Sequence, residues 1–313
     1  MKSSNDMDFL ALKWLGKLSQ LRTAIGGELC KGKAPHKPLL LLSLFDMAEA
    51  GMVTSRMLTR TPELVLRFKT YGALVTERWP TKLDMRMPFY YLKTQQFWQP
   101  FTSQQTPAAS PETCTLCEMD QEFFTLLSDP VFREKARLLL LFTYFERKER
   151  LALLESMGLA TRNLDTIEWQ METITKEAAQ AAKRKGRSAR FKVQVVSTYQ
   201  FTCALTGFRC LTGEGAVVVD AAHIEQWARS QNDELTNGLA LCKNAHWMFD
   251  EGLWSVGGDG RIIVARERFS ESGPQDLKLA TYHGRRLCFA EGVKLRPNME
   301  ALEQHRHHHG FAL

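Results

Sequence analysis

Apolar and polar positions alternate with helical spacing over residues 8–31, which predicts an amphipathic helix ending near Gly26-Gly27. Pro35 and Pro38 then bracket His36-Lys37, and the run LLLLSLFDMAEAG opens at Leu39. A proline at the start and Gly51 just past the end predict a buried helix over 38–50. Another helix is expected over 61–78, with Thr61 as N-cap, Pro62 at its first position and Glu63 in its first turn. Met85–Trp98, rich in aromatic residues and interrupted by Pro88, reads as short strands or an ordered loop, and 102–113 reads as a polar loop. From 118 to 182 the pattern is helical, through LLLLFTYF at 138–145 and KEAAQAAKRKG ending at Gly186.

The second half changes character. Gly207, Gly213 and Gly215, with the β-branched run at 217–219, predict a hairpin within 200–222. An irregular loop, a helix starting near Ala240–His246, short strands around 253–265 and a surface loop over 270–284 follow. There is no internal repeat. The mixture is α+β, and 313 residues at ~150 per domain suggest two domains with a boundary in the basic tail near Gly186.

Composition narrows the class. Hydrophobic residues make up 44% and charged residues 24%, which excludes a disordered or collagen-like chain. Leu39–Leu42 and Leu138–Phe142 fall far short of the ~18 apolar residues of a membrane span, and MKSSNDMDFL lacks the apolar core of a signal peptide. A cytoplasmic protein is expected. Seven cysteines, an odd and sparse count, argue for reduced thiols rather than a disulfide framework.

Charge placement says more than its total of +6, because residues 176–192 hold seven Lys and Arg against Glu177 alone. That segment carries the whole excess. A basic stripe containing Lys183, Arg184, Lys185, Arg187 and Arg190 suits contact with a phosphate backbone; a solvated linker explains the composition equally well.

Three residues carry the chemistry: His223 in VVVDAAHIEQW, Asn237 in ELTNGLALC, and His246 in KNAHWMFDEGL. With their flanks AHI, NGLAL and H-x-x-x-D followed by Gly-Leu, they resemble the HNH nuclease motif over roughly 190–260. Phosphodiester hydrolysis needs a base to activate water and a cation on the scissile phosphate. The resemblance makes His223 the base and gives Asn237 the task of fixing the loop that orients it. His246 and Asp250, four residues apart, share one helix face and can grip one ion; their mixed N/O chemistry suits Mg²⁺, Mn²⁺, Ni²⁺ or Zn²⁺.

The chain departs from that family in two places. Where many members carry a metal ligand before the base histidine, this sequence has Ala222, and the nearest carboxylate is Asp220. Asp220 is the candidate third ligand, although alternation along a strand turns 220 and 223 to opposite faces unless a bulge intervenes; the other reading is a structural acceptor. The flanking C-x-x-C pairs of a structural zinc are reduced to Cys203 and Cys242, expected as small buried residues; Cys114 and Cys117 are taken as incidental. His305, His307, His308 and His309 are expected in an unstructured tail without a catalytic role.

In the first half, APHKPLLLL (34–42), LTRTPELVLRFKTYGALV (58–75) and MRMPFYYL (85–92) resemble the sulfur-binding domains of phosphorothioation-dependent type IV restriction endonucleases, in which such a reader precedes an HNH nuclease. Sulfur in place of a phosphate oxygen keeps the charge but is larger and less well hydrated, so selectivity needs a small apolar cup beside cations. Pro88, Tyr90 and Tyr91 are candidates for the cup, and His36, Lys37 and Arg86 for the cations, Arg86 also for a guanine edge. Taken singly, each of these residues reads better as structure; their grouping ahead of a nuclease points to a DNA-reading surface.

The resemblance implies a reader over 1–165, a helical basic linker over 166–190 and a ββα-metal nuclease over 191–313. The expected activity is divalent-metal-dependent cleavage near a phosphorothioate in duplex DNA, in a nucleoid-associated protein. Two nicks, or a homodimer, would give a double-strand break. Two further readings fit the residues: an HNH enzyme that reads methylated DNA by flipping a base against Trp79, Tyr90, Tyr91 or Trp98, and a non-catalytic DNA-binding protein that keeps the HNH scaffold.

Overall fold

The computed structural model describes residues 4–159, 176–212 and 216–311. Residues 160–175, which include most of the expected linker's first half, and Gly213 and Gly215 of the expected hairpin lie outside the described residues. The chain divides into two compact units, Met1–Ala189 and Arg190–Leu313.

The first unit is built around α2 (His36–Glu49), whose Leu39–Leu42, Leu44 and Phe45 are fully buried. A helix apolar all round belongs inside a core, and α2 packs against α3 (Pro62–Ala73), α4 (Arg86–Tyr91) and α6 (Pro130–Tyr144). Outside this lie α1 (Ser4–Ser19), α5 (Gln121–Leu127), α7 (Arg147–Ser156) and an antiparallel sheet in the order β1 (Met57–Thr59), β3 (Leu116–Met119), β2 (Trp98–Phe101). Two ion pairs cross-link it, the first partly and the second fully buried. Asp46 of α2 accepts from Arg67 Nε at 2.7 Å and Tyr71 Oη at 2.9 Å, and Arg78 Nε donates to Glu149 at 2.9 and 3.0 Å. Losing one member of the Arg78–Glu149 pair strands a buried charge, at a cost of about 3–5 kcal/mol.

Several elements differ from those expected. The first helix stops at Ser19 rather than continuing to 31, because Ile25 and Leu29 find no apolar partner and stay exposed, while Arg78 draws the carbonyls of Lys31 and Lys33 into an irregular loop. Thr61 does cap α3, accepting from Leu64 N, but that helix ends at Ala73. The Pro88 segment is helical, not extended. Both Pro38 and Pro88 occupy the third helical position, where a missing N–H has no intrahelical carbonyl to lose.

In the second unit β4 (Val219–His223) pairs antiparallel with β5 (Gly238–Cys242), and α10 (Lys243–Asp250) follows directly, with Cys242 at its N-cap. A short helix α9 (Trp227–Ser230) lies in the connection between the two strands. Beyond it are the hairpin β6 (Trp254–Val256) and β7 (Ile262–Val264), irregular segments and α11 (Met299–His308). Residues 176–198 form one helix, α8, whose later part, with Phe191, Val195 and Val196 buried and Tyr199 buried just beyond its end, belongs to this unit. The α+β class holds, with small sheets among helices.

The last turn of the chain is the clearest correction. His305 is not in a loose tail but buried in α11. Its ring lies flat on Phe249 at 3.9 Å and 5°, with Nδ1 on Ser255 Oγ at 2.9 Å and Nε2 on the Phe249 carbonyl at 3.1 Å. Asn298 caps the helix through Glu300 N and Ala301 N, and Arg306 donates to the Val256 carbonyl. Side-chain packing, invisible in a run of histidines, fixes this end.

Candidate active site

His223 ends β4 opposite Gly238 of β5, and the pairing from Val219 to His223 runs without a bulge. The ring of Phe191 stacks on it at 3.8 Å and 6° from parallel. That stack depends on Gly238: a Cβ there would fall 2.5 Å from Val195 Cγ2 and 3.0 Å from Phe191 Cζ, so only glycine lets the ring in.

His223 Nε2 lies 2.9 Å from Asp233 Oδ1. A carboxylate can only accept, so Nε2 carries the hydrogen and Nδ1 keeps its lone pair for a proton from water. Asp233 is in turn positioned by Asn237, which is wholly buried. The Asn237 amide donates to the carbonyls of Glu225 at 3.1 Å and Asn232 at 2.9 Å, and its oxygen accepts from Glu225 N at 3.0 Å. Asn237 therefore staples both ends of the loop between the strands, and Asp233 transmits that order to the imidazole.

His246 and Asp250 sit one turn apart on α10, with Nε2 and Oδ2 3.4 Å apart. That spacing suits two ligands of one ion. Burial pushes the Asp250 carboxyl up, partly offset by His246, so it gains from a nearby cation. Asp220 does not join them. It forms an ion pair with Lys192 Nζ at 3.0 Å, and with no bulge in β4 it faces away from His223. Among the described residues no three His, Cys, Asp or Glu side chains converge as a ready ligand set.

A cavity of about 190 Å³ opens beside the base, lined by His223, Asp250, Glu225, Arg229 and the histidines of the α11 end. Nearby, Cys203 is buried and Cys242 half-buried, their sulfurs 3.7 Å apart. The contact with the Cys242 side chain, with the Cys242 N–H donating to the sulfur at 3.4 Å, holds the Cys203 thiol down to about 5. Cys114 and Cys117 are buried in the first unit.

Residues 203–257 match the family described as HNH endonuclease. The second unit carries an HNH endonuclease domain. A solved structure, a "Modification dependent TagI restriction endonuclease", is similar over 39% of this chain and 38% of its own, at 21% identity and a TM-score of 0.31. The chain thus spans well under half of that protein. No curated protein matches. HNH nucleases generally use a divalent metal, and the His246–Asp250 pair fits one as a two-residue grip.

The first unit has a second cavity, of about 560 Å³, between the start of α2, the start of α4 and the loop at 22–24. It brings together His36, Lys37, Pro88 and Tyr91, four of the six residues expected in a reader. Lys37 Nζ donates to the Arg22 carbonyl at 2.8 Å and Thr94 Oγ1 at 2.9 Å, and burial lowers both Lys37 and His36. The other two are not among its lining residues, although Asp84, the partner of Arg86, is. Tyr90 is buried, its hydroxyl on the Ala109 carbonyl at 2.7 Å, with Lys93 Nζ 3.7 Å from its ring. Arg86 forms a fork with Asp84, at 2.7 Å for its shortest bond.

On the basic stripe, Arg184, Lys185 and Arg190 are exposed and Lys183 and Arg187 half-buried. Lys185 pairs with Glu77, which also holds Lys148.

Sequence reading missed Phe191, Asp233 and Gly238. The NG step carried a signal for Gly238; for the other two, no local spacing exists.

Proposed function

We propose that this chain is a modification-dependent DNA endonuclease: its second unit hydrolyses phosphodiester bonds, and its first reads a phosphorothioate in duplex DNA. The observation that carries the nuclease reading is the His223–Asp233 contact at 2.9 Å, which leaves Nδ1 of a flat, packed imidazole as the free base. His223 takes a proton from the attacking water, and Asp233 stabilises the imidazolium that results. His246 and Asp250 would hold the divalent cation, which supplies charge at the scissile phosphate and the leaving oxygen. The imidazole and the carboxylate make a mixed N/O pair, which suits Mg²⁺, Mn²⁺, Ni²⁺ or Zn²⁺.

The 560 Å³ cavity supports the reader. Pro88, Met87 and Ala34 offer apolar surface to a sulfur atom, while His36 and Lys37 stand at the same opening to meet the charge. A flipped methylated base is less well served: Trp79, Tyr90 and Trp98 are buried, so Tyr91 is the tyrosine or tryptophan left on the cavity. Exposed Arg184, Lys185 and Arg190 would track the backbone, and two copies of the chain, or two successive nicks, would cut both strands.

The test compares two duplexes of one sequence, with and without a single phosphorothioate, binding to the His223→Ala protein. Tighter binding to the modified duplex is expected, and equal binding removes the sulfur reading. Separately, wild-type protein should nick DNA with Mg²⁺ and lose that activity in His223→Ala; folded wild-type protein that never nicks would favour a scaffold role.

A further inference from the structure

The end of α11 shares the nuclease cavity with His223 and Asp250, and its histidines are not equivalent. Both ring nitrogens of His305 are occupied, by Ser255 and the Phe249 carbonyl, so it is a structural strut. His307 and His308 are exposed. His309 differs from all three. Its ring is half-buried, lying 4.5 Å from His305 and 4.7 Å from His308, and it fills the space over Gly252, where no Cβ could fit. Its carbonyl is held by Arg268, whose guanidinium also lies 5.2 Å from the ring of Phe311. Yet neither ring nitrogen hydrogen-bonds another described residue. A half-buried ring that lines a polar cavity, with an N–H that no described residue accepts, is a preorganised donor.

Arg229 lines the same cavity, is exposed, and makes no ion pair with a described carboxylate. Glu225 and Asp250 bring negative charge to it, so an anion enters only beside the cation that Asp250 and His246 would hold. A space of about 190 Å³ admits a phosphodiester group but not a base pair.

We propose that the chain's C-terminal end completes the nuclease site, with His309 and Arg229 holding the scissile DNA phosphate in the cavity that His223 enters. The proposal rests on the nuclease reading above. It gives the second unit a phosphate grip in which Arg229 comes from the matched segment 203–257 and His309 from outside it.

The experiment uses the full chain and an unmodified 12-base-pair duplex, so that the first unit contributes least to binding. Nicking is measured with saturating Mg²⁺ for wild type, His309→Ala, His309→Gln and Arg229→Ala, and duplex binding for each change in the His223→Ala background. A lost donor to a reacting phosphate should lower kcat/KM about 10- to 100-fold in His309→Ala. The glutamine variant, which retains an N–H donor, should recover much of it. Arg229→Ala should weaken binding and reduce the salt slope by about one. Wild-type nicking by His309→Ala, faster nicking, or equal loss in the alanine and glutamine variants would overturn the proposal. Should His309→Ala unfold early, the glutamine variant and exposed Arg229→Ala decide it alone. If wild-type protein does not nick and His223→Ala changes nothing, it is the nuclease reading that fails, and this one with it.

Discussion

The ring of His223 lies on that of Phe191, 3.8 Å away and 6° from parallel, while its Nε2 is held by Asp233. Two restraints act at right angles. The stack fixes the plane of the imidazole, and the in-plane hydrogen bond fixes its rotation, so Nδ1 points in one direction. A base held this way approaches water without first ordering itself.

Phe191→Leu should therefore separate packing from orientation. Leucine keeps the site apolar but has no flat face, so the expected stability loss is only about 1–1.5 kcal/mol. Nicking should fall by about 10-fold, because a ring free to rock spends less time aimed. Urea unfolding and single-turnover nicking measure the two effects. A rate loss no larger than the unfolded fraction explains would reduce Phe191 to core.

Asp233→Asn tests the other restraint. An asparagine can donate as well as accept, so His223 loses its preference for a hydrogen on Nε2, and the imidazolium loses its counter-charge. Asp233 is partly exposed and the substitution isosteric, so the fold should persist. Activity should drop by at least about 10²-fold, with duplex binding unchanged. Nicking within a few-fold of wild type would show that Asp233 is not needed by the base.

What could be seen in the sequence follows from how local each feature is. The apolar run after Pro38, the Thr61 cap and the pairing of His223 with its flanks are written in consecutive residues, and the α+β class could be read from them. Asn237 stood out because a Gly follows it and an apolar strand begins there. Phe191 and Asp233, 32 residues before and 10 after His223, reach it only through tertiary packing and a loop, so no spacing announces them. The histidine run misled for the same reason: His305 is set by Phe249 and Ser255, more than 45 positions away. Pro88 misled by rule, since a proline in a helix's first turn looks like one in a loop.

The neighbouring tyrosines of the first unit should behave oppositely. Tyr91 is exposed at the cavity, and Tyr90 is buried with its hydroxyl on Ala109. Tyr91→Ala should erode any preference for a phosphorothioate while leaving stability within about 0.5 kcal/mol. Tyr90→Phe removes one partly buried hydrogen bond, costs about 1 kcal/mol, and should leave the preference intact. Competition binding between modified and unmodified duplexes separates them. A preference that follows Tyr90 and ignores Tyr91 would place the reading surface elsewhere.

His305 makes the second unit sensitive to acid. Burial, reinforced by His309, His308 and Arg306 and opposed by the Phe249 carbonyl, holds it down to about 3, against 6.5 for an ordinary imidazole. As pH falls below 6.5 the unfolded chain therefore takes up a proton at this position that the folded chain refuses until about 3. Stability is complete above 6.5 and is lost progressively across that window, by roughly 2–3 kcal/mol at pH 4.5. The Phe249 carbonyl can only accept, so Nε2 already carries a hydrogen; the added proton goes to Nδ1, which then can no longer accept from the Ser255 hydroxyl, and the packing that anchors α11 loosens with it. Carboxylates titrate over part of the same range, and comparison with His305→Gln removes them: the variant is less stable at pH 7, but its unfolding free energy should fall less steeply from pH 6.5 to 4.5. Parallel curves for the two proteins would mean that His305 accepts a proton in place and that the α11 end is looser than its packing implies.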